Sequence, residues 1–553
     1  MTIPPRPPEQ VMRLARMGSF HQHRLSFMRI LLRRIKADGW TFSRPRFDFD
    51  ARGVGVGLYV AQGPMRAYTL VAFGHDLPPD MRSDRVIATA WDATFSLFDG
   101  IPTAADVERL RQNVPLQEAG RVSGAELTVS RANRSVRLWD QVVDRLAAGQ
   151  QPDGEMLTDV GYLMRTTAVY GSGKLGAADR EVIADRIECA PPFQMEMLTV
   201  FLIRAFVADL VEHMARAKGG DTAVPLAADL RRRLGIGNST GLGMAPFLVT
   251  HPVLLNNWIA AREEALAVVR RLPSADPGDV AKFRALVGRA SRNIDDWRSV
   301  HPLQVEKLQT LRRDMAALQD HLATADLGGN APWDSLYRWA ESALGLDAQE
   351  LLVSLLMEPY GALIDGFACC MSADEGAAFT LDGAMPVGML RQILGQVYGW
   401  ALTTDWGDRA AQARVWYVSV EKLEPRMGER FDEPIAAYEQ PLSPGREAAR
   451  LHADLANWAD DAPVGDLLLA HPDHRHTVRR AQIAARYPYA EIRDNTIAAD
   501  VLPIDMLRAK LAFFGAQHFD PRSDRWVRIN MFRGAPYPGE LADADPDDWT
   551  YPA

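Results

Sequence analysis

The fold class of this chain is decided by one stretch, TFSRPRFDFDARGVGVGLYVAQGPMRAYTLVAFG, at residues 41–74. Polar and apolar residues alternate within Thr41–Phe49, Gly55–Val60 and Ala67–Phe73, and turn residues such as Gly63-Pro64 separate these runs. A period of two that is interrupted by Gly and Pro is typical of antiparallel strands. With a fourth run at Val86–Phe98, the pattern predicts an antiparallel β-meander over residues 41–100.

Helical patterns dominate the rest of the chain. Most of them begin with proline, which the first turn of a helix tolerates, and they cover residues 193–218, 252–272, 277–299, 302–325 and 332–357. Two late alternating runs, at residues 414–420 and 525–532, are expected to extend the N-terminal sheet. We therefore predict a mainly α protein of the α+β class, with a central helical bundle and an N-terminal antiparallel β-meander joined by C-terminal strands.

The length of 553 residues exceeds what a single core supports. We predict a basic N-terminal helix at residues 1–40, an antiparallel β subdomain at 41–100, a helical bundle domain at 101–410 and a C-terminal α+β region at 411–553 that packs back on the sheet. Heptad-like apolar spacing across Leu303 to Leu322 predicts an antiparallel arm of the bundle and also suggests a contact in a homodimer.

The composition narrows the class of protein. The chain carries 62 Lys and Arg against 71 Asp and Glu, for a net charge of −9, which argues against a general nucleic-acid binder. Its three cysteines are too few and too unevenly placed for a disulfide framework and fit a reducing compartment. Charged residues interrupt the apolar run Phe193 to Val211, so we predict no membrane span and a cytoplasmic protein.

A glycine-rich loop at residues 234–243 is the strongest candidate for binding a ligand. Four glycines surround three residues that favour the N-cap of a helix, Asn238, Ser239 and Thr240. Free backbone N–H groups at a helix start attract anions, so we expect Asn238, Ser239, Thr240 and Gly241 to bind an anionic group. His251 follows shortly afterwards and is a further candidate for binding the substrate.

Basic side chains are the next candidates. Arg131, Arg134 and Arg137 are spaced as neighbours on a helix surface, where they would either bind an anion or form a solvated face. Lys174 lies in GSGKLG, which lacks the Ser or Thr of a phosphate-binding P-loop and is otherwise a helix-ending loop. Glu421 and Lys422 follow a predicted strand and form either a catalytic rim or a surface salt-bridge network.

Metal and cofactor sites receive less support. His471, His474 and His476 do not all face one way from a regular helix and have arginines beside them, so we predict no metal site. The sequence identifies no cofactor, although a flavin or haem held in the helical bundle near Trp258 and Phe247 is an alternative. Cys369 and Cys370 are expected to be buried structural thiols.

These features favour an enzyme that acts on a small anionic substrate by acid–base chemistry, such as a lyase, decarboxylase or isomerase. In this hypothesis Asn238, Ser239 and Thr240 bind the anionic group with help from the arginines, while Lys174, Glu421 or Lys422 transfers protons. A non-catalytic alternative is an interaction protein that docks through its N-terminal helix, expected over Glu9 to Asp38 with basic residues on several faces.

Overall fold

A computed structural model describes residues 3–81, 90–113, 123–166, 185–189, 191–239, 251–297, 302–371, 379–407, 444–493, 503–516, 518–520 and 528–550. The chain divides into two compact units, each assembled from segments distant in sequence. The first unit comprises Met1–Phe20, Met244–Arg284 and Arg313–Ala509. The second comprises His21–Gly243, Ala285–Arg312 and Lys510–Ala553.

The second unit contains a nine-stranded mixed sheet in which neighbouring strands follow the order β1-β2-β3-β4-β5-β6-β7-β9-β8. The strands are β1 (Thr41–Phe49), β2 (Gly55–Gln62), β3 (Ala67–Gly74), β4 (Ala93–Asp99), β5 (Glu126–Arg134), β6 (Tyr162–Thr166), β7 (Gly235–Ser239), β8 (His518–Asp520) and β9 (Arg528–Met531). Strand β1 forms an edge, and its register shifts between Ser43 and Arg46, around Pro45. Proline donates no backbone hydrogen bond, so an edge strand with a bulge accommodates it.

Helices make up most of the remaining described residues. In chain order they are α1 (Pro8–Val11), α2 (Leu14–Met17), α3 (Phe27–Ala37), α4 (Ala104–Asn113), α5 (Trp139–Ala147), α6 (Gly154–Val160), α7 (Gln194–Gly219), α8 (Ala228–Arg232), α9 (Pro252–Arg270), α10 (Pro277–Asp295), α11 (Pro302–Thr324), α12 (Pro332–Ala343), α13 (Leu346–Leu356), α14 (Gly361–Ile364), α15 (Val387–Leu402), α16 (Pro444–Leu455), α17 (Val464–Ala470), α18 (Arg475–Arg486) and α19 (Pro503–Phe514). The predicted α+β class is therefore confirmed.

The meander predicted at residues 41–100 corresponds to β1–β4, which pair antiparallel in sequence order. The late run around residue 528 joins the sheet as β9, whereas the run at residues 414–420 lies outside the described residues. The sheet also continues through β5, β6 and β7, where we had predicted helices and a loop. These three strands are buried on both faces, so they lack the alternation of polar and apolar residues that marks a half-buried strand.

Helix α7 packs against this sheet and is buried along most of its length, as suits a helix that is apolar on most sides. Phe206 contacts the rings of Tyr59 and Phe95. The charged residues on α7 are held by structural contacts. Arg204 donates to the carbonyl oxygens of Leu234 at 2.8 Å and Ala535 at 2.7 Å, and Asp209 accepts from the Tyr59 hydroxyl at 2.8 Å.

The N-terminal region contains three helices, α1, α2 and α3, instead of the single helix predicted over Glu9 to Asp38. A non-helical segment that includes Gly18 separates α2 from α3, and a Cβ at Gly18 would lie 2.4 Å from the backbone nitrogen of Ala509. The close approach of these two segments therefore requires glycine at this position.

The basic residues around α3 face an acidic tail. Arg24, Arg29 and Arg33 each bind the Asp547 carboxylate, at 3.2, 2.9 and 3.2 Å. Trp549, beside this carboxylate, is almost completely buried. These charge pairs and the buried ring hold the C-terminal tail against α3.

The first unit has its own apolar core and a buried charge cluster. Helices α15, α16, α17 and α18 share one hydrophobic core, which includes Leu394, Leu451, Leu467 and Val478. Elsewhere in this unit Arg6 binds Glu263 at 2.7 Å and Glu350 at 2.8 Å, and all three side chains are buried. The N-terminal segment is thus tied to α9 and α13 by charge-assisted hydrogen bonds.

Among the residues that the structure describes, one helical stretch, Leu346–Cys370, is long and apolar enough by length and composition to cross a membrane, with a mean hydropathy of 1.4 in its most apolar window. In the fold 56% of that window is buried. The stretch contains α13 and α14 with short 3-10 turns around them. A buried core helix passes the same test of length and composition.

Candidate functional site

Strands β6 and β7 are the one parallel pair among the described strands, with Arg165 beside Gly237 and Thr166 beside Asn238. Because parallel strands end at the same edge of a sheet, the chain leaves Thr166 and Ser239 at the same edge. The segments that follow contain the GSGKLG and TGLG sequences, at residues 171–176 and 240–243. The carboxyl ends of parallel strands are where sheet proteins commonly bind ligands. We call this region the β6–β7 edge.

A buried lysine lies at the β6–β7 edge. Lys510 of α19 donates a hydrogen bond from Nζ to Oδ1 of Asn238 at 3.1 Å. Lys510 is 1% exposed and Asn238 is 0% exposed. Asn238 also donates from Nδ2 to the carbonyl oxygen of Thr166 at 3.4 Å, which orients its Oδ1 toward the ammonium group. The pair therefore places a positive charge inside the fold, at the edge from which both glycine-containing segments leave.

Hydroxyl groups continue the polar surface away from Asn238. The Ser130 and Thr166 hydroxyls lie 2.6 Å apart, and those of Thr128 and Thr199 lie 2.7 Å apart. Thr128 and Ser130 are two residues apart on β5 and so share one face of the sheet, the face that α7 covers through Thr199. All four side chains are buried. This polar row occupies a position where an apolar core would ordinarily continue.

The first turn of α7 lies level with this edge. Arg204 on α7 contacts Leu234, which lies just before β7. The five residues of β7 span about 16 Å along the sheet, and a helix needs about 11 residues to span the same distance. Counting back from Arg204, this distance reaches the start of α7 at Gln194. The ring contact of Phe193 with Phe514, one turn from Lys510 on α19, agrees with this direction. The positive end of the long α7 dipole thus points toward the β6–β7 edge.

An acid is present in that first turn. Glu196 is 7% exposed and lies three residues before Thr199, so the two side chains share one face of α7. Phe193, which precedes the helix, has a φ of 58°, a left-handed conformation that costs energy for an aromatic residue. The rings of Phe27 and Phe514 pack on it at 5.1 and 5.2 Å and hold it there.

The glycine-rich segment differs from its predicted form. Residues 235–239 are a strand and not a loop, and Gly237 and Asn238 are paired with β6 on one side and β9 on the other. Gly237 is needed for packing, because a Cβ there would lie 2.6 Å from the ring of Tyr162. Asn238 and Ser239 are therefore not at a helix N-terminus. Thr240 and Gly241 lie outside the described residues, in the segment that leaves the β6–β7 edge.

The arginines do not form the predicted cluster. Arg131 and Arg134 belong to β5, and their separation of three residues places them on opposite faces of the strand. Arg131 stacks on Trp91 at 4.5 Å, whereas Arg134 stacks on Trp139 at 4.8 Å and donates to the Arg52 carbonyl oxygen at 3.0 Å. Arg137 lies between β5 and α5. Because Arg131 and Arg134 lie on a strand and not on a helix, their charges are on opposite faces of the sheet and do not form one anion site.

The other predicted site residues lie elsewhere. His251 precedes α9 in the first unit. Lys174, Glu421 and Lys422 lie outside the described residues, although Lys174 belongs to the segment that follows β6. For the alternative cofactor site, Trp258 is buried in α9, with the Arg262 guanidinium 5.7 Å from its ring, and Phe247 lies outside the described residues.

The structure describes the environments of His474 and of the two adjacent cysteines. His474 is buried and its Nε2 lies 2.7 Å from Oδ2 of Asp454. Within the described parts of the chain, no three His, Cys, Asp or Glu side chains are grouped as metal ligands. Cys369 and Cys370 are exposed, which corrects the expectation that they are buried structural thiols.

Lys510 was not predicted, although its sequence context carried a signal. In PIDMLRAKLAFF it is a lone lysine among apolar residues, and such a residue must either reach solvent or bind a polar group. Comparison of the chain with protein-family models, curated proteins and solved structures found no match. The geometry of the β6–β7 edge is therefore the basis for the function proposed below.

Proposed function

We propose that this protein is an enzyme that binds a small anionic substrate at the β6–β7 edge and acts on it by acid–base chemistry, as a lyase, decarboxylase or isomerase does. The observation that carries the proposal is the buried Lys510 ammonium hydrogen-bonded to Asn238 at the carboxyl end of a parallel strand pair. A buried positive charge, a polar row of hydroxyls and the start of a long helix all favour a negatively charged ligand.

In this proposal each group has a separate task. Lys510 and Asn238 bind the anionic group, and backbone N–H groups after Ser239, including those of Thr240 and Gly241, complete its binding. Glu196 is placed to accept or donate a proton, since it lies in the helix turn that faces the edge. Lys174 follows β6 and remains a candidate for a second proton-transferring group, as do Glu421 and Lys422.

A binding experiment tests the anion site. Inorganic phosphate and a panel of small aliphatic dicarboxylates are titrated into the full-length protein and followed by calorimetry and thermal denaturation. We expect Lys510→Met to weaken the best of these ligands by about 10- to 100-fold, the range for losing one charge-assisted hydrogen bond. Lys510→Arg retains the charge and should bind more tightly than Lys510→Met.

Two further variants control this experiment. Lys218→Met removes an exposed lysine that pairs with Asp144 at 2.7 Å, and it should bind as the unaltered protein does. Asn238→Leu keeps Lys510 but removes its hydrogen-bond partner, so it tests the same site if Lys510→Met does not fold. Equal affinity of the unaltered protein and a folded Lys510→Met variant for every anion would contradict the proposal.

We also propose that the helices of the first unit form the central bundle and that the protein is a homodimer. The common core of α15, α16, α17 and α18 supports the bundle. The dimer rests on the sequence alone, because the apolar residues of α11, including Leu308, Met315 and Leu322, are buried within the chain. Light scattering coupled to size-exclusion chromatography measures the mass in solution. A monomer mass over the working concentration range would contradict the dimer.

A further inference from the structure

Two adjacent thiols lie apart from the β6–β7 edge. Cys369 and Cys370 are the last residues of a 3-10 turn at Asp365–Cys370 in the first unit. Both side chains are exposed, and their Sγ atoms are 3.9 Å apart. The proposed enzyme chemistry does not use them, so their role is argued independently of it.

The separation of the sulfurs suits a shared ligand. A pyramidal trivalent centre holds two bound sulfurs somewhat closer together than the 3.9 Å observed, because its bonds lie near right angles to one another. Rotation of the two side chains about their Cα–Cβ bonds covers this small difference without movement of the backbone. A disulfide, in contrast, needs the sulfurs to approach to about 2.05 Å and so requires rearrangement of the turn. The turn therefore presents the two thiols as a bidentate donor.

We propose that Cys369 and Cys370 form a binding site for a soft, thiophilic centre, and that trivalent arsenic carrying one organic substituent is the ligand class it takes. Sulfur donors select soft centres, and this one needs only two sulfurs from the protein. Both thiols are open to solvent, so a compact ligand reaches them without opening the fold.

The binding step is balanced without an oxidant. Each thiol loses its proton, two arsenic–oxygen bonds of the arsenic dihydroxide break, two arsenic–sulfur bonds form, and two molecules of water leave. Partial desolvation and the neighbouring Cys369 thiol raise the pKa of Cys370. An arsenic hydroxide suits such a pair because it removes both protons as water.

The experiment uses phenylarsine oxide, whose hydrated form is such a dihydroxide, and the full-length reduced protein. Native mass spectrometry is expected to show one phenylarsenic group per chain, and maleimide labelling after unfolding should then reach only Cys189. Cys369→Ser and Cys370→Ser should each weaken retention by about 100-fold or more, because the second bond of a chelate forms at high effective concentration.

Cys189→Ser is the matched control and should bind the arsenical as the unaltered protein does. At the exposed positions 369 and 370 serine is close in size to cysteine, and circular dichroism verifies that each variant is folded. Retention of the arsenical by both Cys369→Ser and Cys370→Ser, or its loss in Cys189→Ser, would overturn the proposal. A wash with a monothiol separates chelation, which survives it, from binding to one sulfur, which does not.

Discussion

At the scale of single residues, the first unit depends on a carboxylate surrounded by guanidinium groups. Glu263 is 0% exposed and binds Arg6 at 2.7 Å and Arg262 at 2.7 Å. Burial by itself raises the pKa of Glu263, but the two guanidinium charges outweigh it and lower the pKa to about 2. The carboxylate is thus stabilised in its charged form by Arg6, which is distant in sequence, and by Arg262, which is adjacent.

We expect Glu263→Gln to lower the free energy of unfolding of the first unit by about 3–5 kcal/mol, because it leaves buried guanidinium charges without their carboxylate. Glu264→Gln is the matched control, since the neighbouring Glu264 forms a surface pair with Arg271 at 2.5 Å and should change stability by less than about 1 kcal/mol. Denaturant titration of both variants measures the difference. Equal stability of the two would show that the buried cluster does not stabilise the fold.

At the scale of elements, helix α3 is held by the C-terminal tail through one side chain. Arg29 and Arg33 on α3, and Arg24 before it, all bind Asp547. These arginines of the predicted docking helix therefore already bind a carboxylate of the same chain.

Replacing Asp547 with Asn should release this contact, with a cost of about 1–3 kcal/mol for the lost charge-assisted hydrogen bonds. Hydrogen exchange of peptides from Phe27–Ala37 should then become faster. Asp548→Asn provides the control, because Asp548 is mostly exposed and pairs with Arg289, at 3.0 Å, and not with α3. Unchanged exchange in Asp547→Asn would mean that apolar packing around Trp549 alone holds the tail.

At the scale of the whole molecule, acid should destabilise the first unit by protonating its buried carboxylates. The pKa of Glu350 is also lowered, by Arg6 and Arg262 against the opposing effect of burial. Both carboxylates bind protons more tightly in the unfolded chain than in the fold, so stability falls as pH falls. Their contribution is complete above the ordinary carboxylate pKa of 4.5 and is lost progressively toward about 2, the pKa of Glu263 in the fold.

This pH dependence is measured by hydrogen exchange or urea unfolding of the unaltered protein and Glu263→Gln between about pH 7 and about pH 3. The stability difference between the two proteins should be largest near neutral pH and should shrink as the pH falls below the ordinary carboxylate range. A difference that stays constant with pH would show that Glu263 is not charged in the fold.

Local pattern was sufficient for much of the secondary structure. The helices α7, α9 and α11 and the strands β1, β2 and β3 were predicted to within a few residues, because each has a sustained period or proline at its first turn. The parallel strands were not predicted, since β6 and β7 are each five residues long and buried, and their pairing joins segments about 70 residues apart.

What the sequence by itself determined is the α+β class and the positions of the long helices and the meander, because these depend on contacts between near neighbours. The role of Asn238 in binding a ligand stays a prediction. The tertiary structure alone placed Lys510 against Asn238, which are separated by 272 residues, and turned the expected loop into a strand. Such a site depends on hydrogen bonds and burial between segments distant in sequence, and the local periodicity of polar and apolar residues does not indicate these contacts.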